Sequence, residues 1–192
     1  MKYIHSTALE ELCGKFEELR DTSRRFVPKL DLFSLKMIRS DKKLYGSLSE
    51  SPSYTSENIT PKNLTHIISA LNLAYADYDF TSIRLCQLHR IDLPHHAMAS
   101  IQGLLLENLG DLFTDLGFAF LSLLEDIISP FDCEVFIYNP DAAIDPDPLV
   151  ESGSVSSNYY FFLNKHSKKL LLISFALFPS RMDDDEDMFD MM

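Results

Sequence analysis

Two apolar runs near the carboxyl end of the chain, residues 158–164 and 169–178, are separated only by the four polar residues KHSK. Runs rich in aromatic and aliphatic residues that are joined by a short polar segment are typical of a β-hairpin. Residues 133–138 form a further run of this kind, and Leu30 and Leu32 alternate with charged neighbours in residues 24–37. The sequence therefore predicts strands at both ends of the chain, with a hairpin near the carboxyl end.

The middle of the chain has the spacing of amphipathic helices. Apolar residues recur every three or four positions in residues 3–19, 61–75 and 97–128, which is the period of a helix with one buried face. Thr60 and Pro61 form a typical helix start, Gly110 and Gly117 are expected to divide the last segment in two, and Leu112 is expected to face inward. The predicted fold is α+β, with a central, mainly antiparallel β-sheet packed against helices.

Two segments have the composition of irregular chain. Ser, Thr, Pro, Gly and Asn make up 12 of the 18 residues in 46–63, which predicts a flexible linker. Six acids lie among the last ten residues, DDDEDMFDMM, and predict a disordered acidic tail. A chain of 192 residues is about the size of one domain, so we expect a single globular domain over 1–180, followed by the tail 181–192.

Charge is distributed unevenly along the chain. The net charge is −12, yet residues 15–43 carry nine Lys and Arg against five acids, and residues 91–164 carry twelve acids with no Lys or Arg. We therefore expect one basic and one acidic face. A net charge of this sign argues against direct binding of nucleic acid through phosphate neutralisation and favours a basic or amphipathic protein partner.

The sequence contains no recognisable catalytic motif. Nucleotide-binding glycine loops, nucleophile elbows and zinc-protease motifs do not occur, and the three cysteines form no CxxC pair. Asp141, Asp145 and Asp147 could offer oxygens to a metal ion in a small hydrolase, but the Asn-Pro and Asp-Pro steps around them favour a structural turn. We therefore predict a protein that is not an enzyme, has no cofactor or metal, does not enter a membrane and is intracellular.

Four blocks of the sequence resemble a known family. They are DLFSLKM followed by Asp41-Lys42, the run ALNLAYADYDFTSIR (70–84), IYNPD (137–141) followed by DPDP, and NYYFFLNKHSKKLLLISF (158–175). Together they resemble the conserved blocks of the Maf family repressors of RNA polymerase III transcription. The chain departs from the family in having a short linker and no Trp, with Val155 where many members have one.

The resemblance implies a non-enzymatic repressor with an α/β domain and a central antiparallel sheet. Such a protein binds RNA polymerase III, prevents productive engagement of the initiation factor TFIIIB, and is controlled by a kinase and a phosphatase in the nucleus and cytoplasm. We expect two exposed groups of partner-binding residues and two phosphorylation sites. They are Asp77, Tyr78 and Asp79; Asn164, Lys165 and Lys168 of the hairpin; and Ser51 and Thr60, each of which precedes a proline.

A different class of function is also compatible with the composition. The net charge and the DDDED run are typical of an acidic interaction module or of a chaperone for basic proteins. Such a protein would bind basic partners through its tail, whereas a repressor would bind the polymerase through its folded part.

Overall fold

The structure, a computed structural model, describes residues 1–18, 24–51, 58–141 and 147–179. Six strands form one antiparallel sheet in the order β1-β2-β6-β5-β4-β3, and within the described residues six α-helices accompany it. The strands are Lys2–Tyr3 (β1), Arg24–Ser34 (β2), Leu88–Ile91 (β3), Glu134–Tyr138 (β4), Ser156–Asn164 (β5) and Lys169–Pro179 (β6). The helices are Thr7–Glu18 (α1), Arg39–Glu50 (α2), Pro61–Ala74 (α3), Pro94–Leu109 (α4), Leu116–Ile128 (α5) and Pro148–Glu151 (α6). The predicted α+β class is confirmed.

The β5–β6 hairpin lies at the centre of this sheet. Its register runs from Asn164 opposite Lys169 to Ser156 opposite Leu177, and β2 pairs with the other edge of β6 along its whole length. All residues of 159–164 and of 170–176 are buried. Because successive side chains of a strand point to opposite faces, both faces of the sheet must be covered.

Helices α1, α4 and α5 cover the first face. Phe16, Ile101 and Phe120 of these helices are fully buried against side chains such as Phe162 and Phe175 of the central hairpin. The ring of Phe175 lies 5.9 Å from that of Phe120 and also stacks on Phe26 at 5.2 Å, measured between centroids. Each such aromatic side chain contributes about 1.5–3 kcal/mol by leaving water.

Helix α3 covers the second face. Its residues 63–71 are all buried, and Leu64, Ile67 and Leu71 belong to a core that includes strand residues such as Phe161 and Leu172. Helix α2 lies beside α3 and contributes Leu48 to the same core. The Thr60 hydroxyl accepts a hydrogen bond from the Asn63 amide at 3.2 Å, so the predicted start of this helix is confirmed.

The predicted linker, residues 46–63, is helical at both of its ends. Residues 46–50 form the last turn of α2 and residues 61–63 the first turn of α3, while residues 52–57 lie outside the described residues, as does the predicted tail 181–192. Composition suggested irregular chain because Ser and Gly are weak helix formers. The helix is stabilised instead by Asp41, which accepts a local hydrogen bond from the Ile38 amide at 2.7 Å and a tertiary one from the Ser69 hydroxyl at 3.0 Å.

The long apolar segment is divided at Gly110, as predicted. Helix α4 ends at Leu109, the φ of 53° at the next residue, Gly110, favours glycine, and a 3-10 turn covers Gly110–Phe113. The turn changes the helical phase, so Leu112 is 48% exposed and the expectation that it faces inward was wrong. Gly117 packs against the Phe113 ring, where a Cβ atom would collide.

The buried histidine of α3 predicts a dependence of stability on pH. His66 is only 2% exposed, its Nδ1 has no hydrogen-bond partner among the described residues, and burial lowers its pKa to about 4, with a further contribution from Lys62. The unfolded chain takes up this proton near pH 6.5, so stability is full above that pH and is lost as pH falls towards 4. Between pH 7.5 and 5.5 the loss is about 1.4 kcal/mol.

Urea denaturation of the parent protein and of His66→Gln at the two pH values measures this effect. We expect the unfolding free energy of the parent to fall by about 1.4 kcal/mol more than that of His66→Gln between pH 7.5 and 5.5, because only the parent has a histidine at this position. A difference in unfolding free energy between the two proteins that stays constant across the interval would show that His66 takes up its proton equally well in the folded protein.

Candidate partner-binding surfaces

The segment that follows α3 carries three of the predicted partner-binding residues and is anchored to the sheet on either side of them. The Tyr75 hydroxyl lies 2.9 Å from the Ser174 hydroxyl, and the Lys29 ammonium lies 4.3 Å from the centroid of the Tyr75 ring. Burial raises the pKa of Tyr75 well above its usual range, so the phenol stays neutral. Phe80 is buried against the Tyr138 ring. The chain between these two anchors is therefore held at the surface.

Asp77 and Asp79 are exposed, as predicted, and Tyr78 between them is partly exposed. The Tyr78 hydroxyl donates a hydrogen bond to Glu151 of α6 at 2.6 Å, which raises the pKa of the phenol. Asp79 accepts a hydrogen bond from the Thr81 amide at 2.9 Å, and this bond lowers the pKa of its carboxyl. The turn thus presents carboxylates that are charged at neutral pH and positioned by neighbouring groups.

Asp147 organises the adjacent helix α6. Its buried carboxylate accepts hydrogen bonds from the amides of Leu149 and Val150 and from the hydroxyls of Ser157 and Tyr159, at 2.9, 3.4, 2.5 and 2.6 Å. Both oxygens are therefore engaged with protein donors. Asp147 caps a helix and ties it to β5, in agreement with the predicted structural turn.

The other two aspartates of the turn give no support to a metal centre. Asp141 lies 3.3 Å from the Arg84 guanidinium, and Asp145 lies outside the described residues. Nowhere in 1–18, 24–51, 58–141 or 147–179 do three or more His, Cys, Asp or Glu residues form a group that could hold a metal ion. The same ranges contain no helix that is long and apolar enough to cross a membrane.

These contacts bring three sequence blocks to one end of the sheet, where β4 ends and β5 begins. Residues 75–81, the chain around Asp141 and helix α6 meet there through the Tyr78–Glu151 bond and the Phe80–Tyr138 contact, which measures 6.3 Å between ring centroids. We call the carboxylates of this end, those of the exposed Asp77, Asp79 and Glu151 and of the partly exposed Asp141, the acidic surface. Val150 and Val155, which are 42% and 64% exposed, add apolar area beside α6.

The second predicted group, at the turn of the β5–β6 hairpin, contains one buried residue and two exposed ones. Asn164 is 3% exposed, so the expectation that it is exposed was wrong. Its amide donates to the Ile128 carbonyl at 2.8 Å and accepts from the amides of His166 and Ser167 at 3.0 and 2.9 Å. Asn164 therefore closes the turn and joins it to α5, a structural role.

The two lysines of the turn are exposed, as predicted. The Lys165 ammonium lies 2.9 Å from the Glu134 carboxylate, which also accepts a hydrogen bond from Asn63 at 2.7 Å. Lys168 has a positive φ of 55°. The turn lies where β5 ends, and the acidic surface lies where β5 begins, so the two predicted groups do not form one site.

The two predicted phosphorylation sites differ in their surroundings. Thr60 is exposed, but its hydroxyl oxygen accepts the capping hydrogen bond of α3. Ser51 directly follows α2 and is partly exposed. Phosphorylation at either residue stays a prediction.

Two of the cysteines lack the properties of a catalytic thiol. Burial raises the pKa of Cys13 to about 11 and that of Cys133 to about 12. Thiols of this kind are protonated at neutral pH, and the thiolate is the nucleophilic form.

The fold has relatives among solved structures. It is similar to two crystal structures of citrus MAF1, with TM-scores of 0.72 and 0.71 at 22% and 21% sequence identity. The similarity covers 91% and 89% of this chain and 98% of each citrus chain. At this level of identity the match concerns the fold alone.

The chain belongs to the Maf1 regulator family, whose family model matches residues 48–174. The protein named "Repressor of RNA polymerase III transcription" of Dictyostelium discoideum is 32% identical over 127 residues, which are 66% of this chain and 45% of that protein. The "Repressor of RNA polymerase III transcription maf1" of Schizosaccharomyces pombe is 25% identical over 171 residues, 76% of this chain and 70% of that protein. The chain thus spans less than half the length of the Dictyostelium relative, and the family resemblance in the sequence is confirmed.

The structural role of Asn164 can be tested by mutation. Asn164→Ala removes three hydrogen bonds, among them the one to the buried Ile128 carbonyl, which also accepts a weaker bond from the Cys133 thiol at 3.5 Å, so we expect a loss of about 2–3 kcal/mol in unfolding free energy. Lys165→Ala removes one exposed ion pair and is expected to cost less than about 1 kcal/mol. Urea denaturation measures both values, and equal losses for the two variants would contradict the assignment.

Asp147 gives a second test of the same kind. Asp147→Ala removes the cap of α6 and leaves the buried Tyr159 hydroxyl without its acceptor, which we expect to cost about 2–4 kcal/mol. The matched control is Asp141→Ala, which breaks a partly exposed ion pair worth less than about 1 kcal/mol. Thermal and urea unfolding of the two variants should therefore differ clearly. A loss for Asp147→Ala no larger than that of the control would show that the cap is dispensable.

Proposed function

We propose that this protein represses transcription by RNA polymerase III by binding the polymerase and preventing productive engagement of the initiation factor TFIIIB. The observation that carries the proposal is membership of the Maf1 regulator family, together with the names of two relatives as repressors of this polymerase. Both alignments include most of the described fold. The proposal transfers the action of those relatives to this chain.

Repression of this kind requires binding and no chemical step. Such a repressor acts when its binding to the polymerase and the binding of the initiation factor exclude each other. The unreactive thiols of Cys13 and Cys133 and the engaged carboxylate of Asp147 agree with such a mechanism.

The acidic surface is our candidate for contact with the polymerase. Its carboxylates are positioned before binding, because Tyr78 is bonded to Glu151 and Asp79 to the Thr81 amide, which reduces the entropy lost on association. Exposed Val150 and Val155 add apolar area next to the charges. A basic patch on the polymerase is the complementary partner, and binding should weaken as salt concentration rises.

The test is a transcription assay on a transfer-RNA promoter with purified polymerase, TFIIIB and added protein. We expect the double variant Asp77→Lys, Asp79→Lys to need at least tenfold more protein for half inhibition, because it reverses charge at the proposed contact. The matched control Glu107→Lys, Asp111→Lys makes the same charge change at exposed positions of α4 and the turn after it. It should inhibit within about twofold of the parent.

Three outcomes separate the alternatives. Equal loss in both double variants would show that net charge, and not the acidic surface, governs binding. No inhibition by the parent protein would overturn the repressor proposal. Capture of histones in place of the polymerase from cell extract, with binding lost on deletion of residues 183–192, would favour an acidic chaperone.

We also propose control by a kinase and a phosphatase, with Ser51 the better acceptor. The Thr60 hydroxyl is engaged in the cap of α3, whereas no hydrogen bond of the Ser51 side chain occurs among the described residues. Both residues precede a proline. Phosphopeptide mapping of the protein from growing and starved cells tests the proposed phosphorylation. Traffic between the nucleus and the cytoplasm belongs to the same proposal.

A further inference from the structure

A group of cations meets at the end of the sheet opposite the acidic surface. Lys2 of β1 lies opposite Ser34 at the end of β2, and the next residue, Leu35, donates its amide to the Lys168 carbonyl at 2.9 Å. Lys36 follows directly, and helix α2 begins at Arg39. We call this group the basic end; its members are Lys2, Lys36, Arg39, Lys42, Lys43 and Lys168.

A buried ion pair holds the elements of the basic end together. The α-ammonium group of Met1 pairs with Asp41, which fixes the first turn of α2 beside β1. Asp41 is 5% exposed and also accepts hydrogen bonds from Ile38 and Ser69. This acid is therefore already engaged and is covered by the structure, so it does not serve as an accessible counter-ion for the lysines around it.

The six cations of the basic end are exposed and have no counter-ion in the part of the chain that the structure describes. Other cations of that part do form ion pairs, as in Lys29 with Asp31, Arg84 with Asp141, and Lys165 with Glu134, while the exposed Lys15 and Lys62 stand singly on α1 and α3. Like charges placed together repel one another. In a chain of net charge −12, such a cluster is typical of a surface that receives an anionic partner.

The backbone at Lys168 supports a binding role for its side chain. Its φ of 55° lies in the left-handed region, where glycine has no steric penalty and a side chain does. The Lys168 side chain forms no hydrogen bond or ion pair with the described residues. A lysine at this position is thus unfavourable for the turn itself, so we attribute its role to its exposed charge.

Apolar side chains lie among these charges. Ile38 is 40% exposed between Lys36 and Arg39, and Tyr45 is 41% exposed one helical turn after Lys42. We propose that the basic end binds an acidic segment of a partner protein that also carries apolar side chains. A phosphodiester chain would use the cations alone and would be repelled by the net charge of −12.

An acidic segment of a separate protein is the occupant that the charge of this surface favours, because six exposed cations lie together without a counter-ion among the described residues. The inference does not depend on the proposed action on the polymerase.

Fluorescence anisotropy tests the proposal with the full chain and a labelled twelve-residue probe peptide of Asp and Glu that contains two Phe. We expect Lys42→Glu to weaken binding at least fivefold at low salt. The matched control Lys15→Glu changes an exposed lysine of α1, the helix whose Phe16 packs against Phe26 near the other end of β2, and should bind within about twofold of the parent.

Lys168→Gly separates binding from folding. It removes the charge and relieves the left-handed conformation, so we expect an unchanged or higher melting temperature together with weaker peptide binding. A version of the peptide with Ser in place of Phe should bind more weakly than the original. Equal binding of the two peptides would overturn the apolar part of the proposal.

Several results would overturn the whole proposal. One is the absence of peptide binding at low salt, and another is an equal effect of Lys42→Glu and Lys15→Glu. Tighter binding of a twelve-nucleotide single strand than of the peptide, sensitive to Lys42→Glu, would identify a nucleic-acid site instead. A tenfold gain in peptide affinity on deletion of residues 181–192 would identify the chain's own tail as the occupant.

Discussion

Burial of the β5–β6 hairpin from both sides is the constraint on which the rest of this structure depends. All residues of 159–164 and 170–176 are buried, so two separate helical layers are required, one for each face of the sheet. The first core contains Tyr160 and Phe162, and the second contains Tyr159 and Phe161. With both faces covered, the described residues offer the ends and edges of the sheet and the outer sides of the helices for contact with other molecules.

The acidic surface and the basic end lie at opposite ends of the sheet. The carboxylates of the acidic surface lie where β4 ends and β5 begins, and the lysines of the basic end lie where β2 ends and the hairpin turns. The separation follows from antiparallel pairing, which places the end of β2 beside the hairpin turn and the end of β4 beside the start of β5. A protein arranged in this way can contact a basic surface and an acidic segment at the same time without competition between them.

Local sequence signals were sufficient for elements whose stability is local or strongly apolar. The hairpin, the start of α3 at Thr60 and the break at Gly110 each depend on residues within a few positions of one another. Helix α2 and strand β3 depend on distant partners instead. Asp41 stabilises α2 through Ser69, and the four residues of β3 have a strand partner only because β4 lies beside them.

The turn of the hairpin shows why the candidate site was predicted only in part. Asn164 and Lys168 are both polar residues at the turn, and the local sequence does not indicate which of them is buried. Asn164 is buried, and its side-chain amide donates a hydrogen bond to the Ile128 carbonyl of α5, 36 positions away. Lys168, in contrast, is exposed and has a backbone conformation that favours glycine. Exposure at such a turn is decided by what packs against it, and a residue that fits its backbone poorly but lies free in solvent is the stronger candidate for binding.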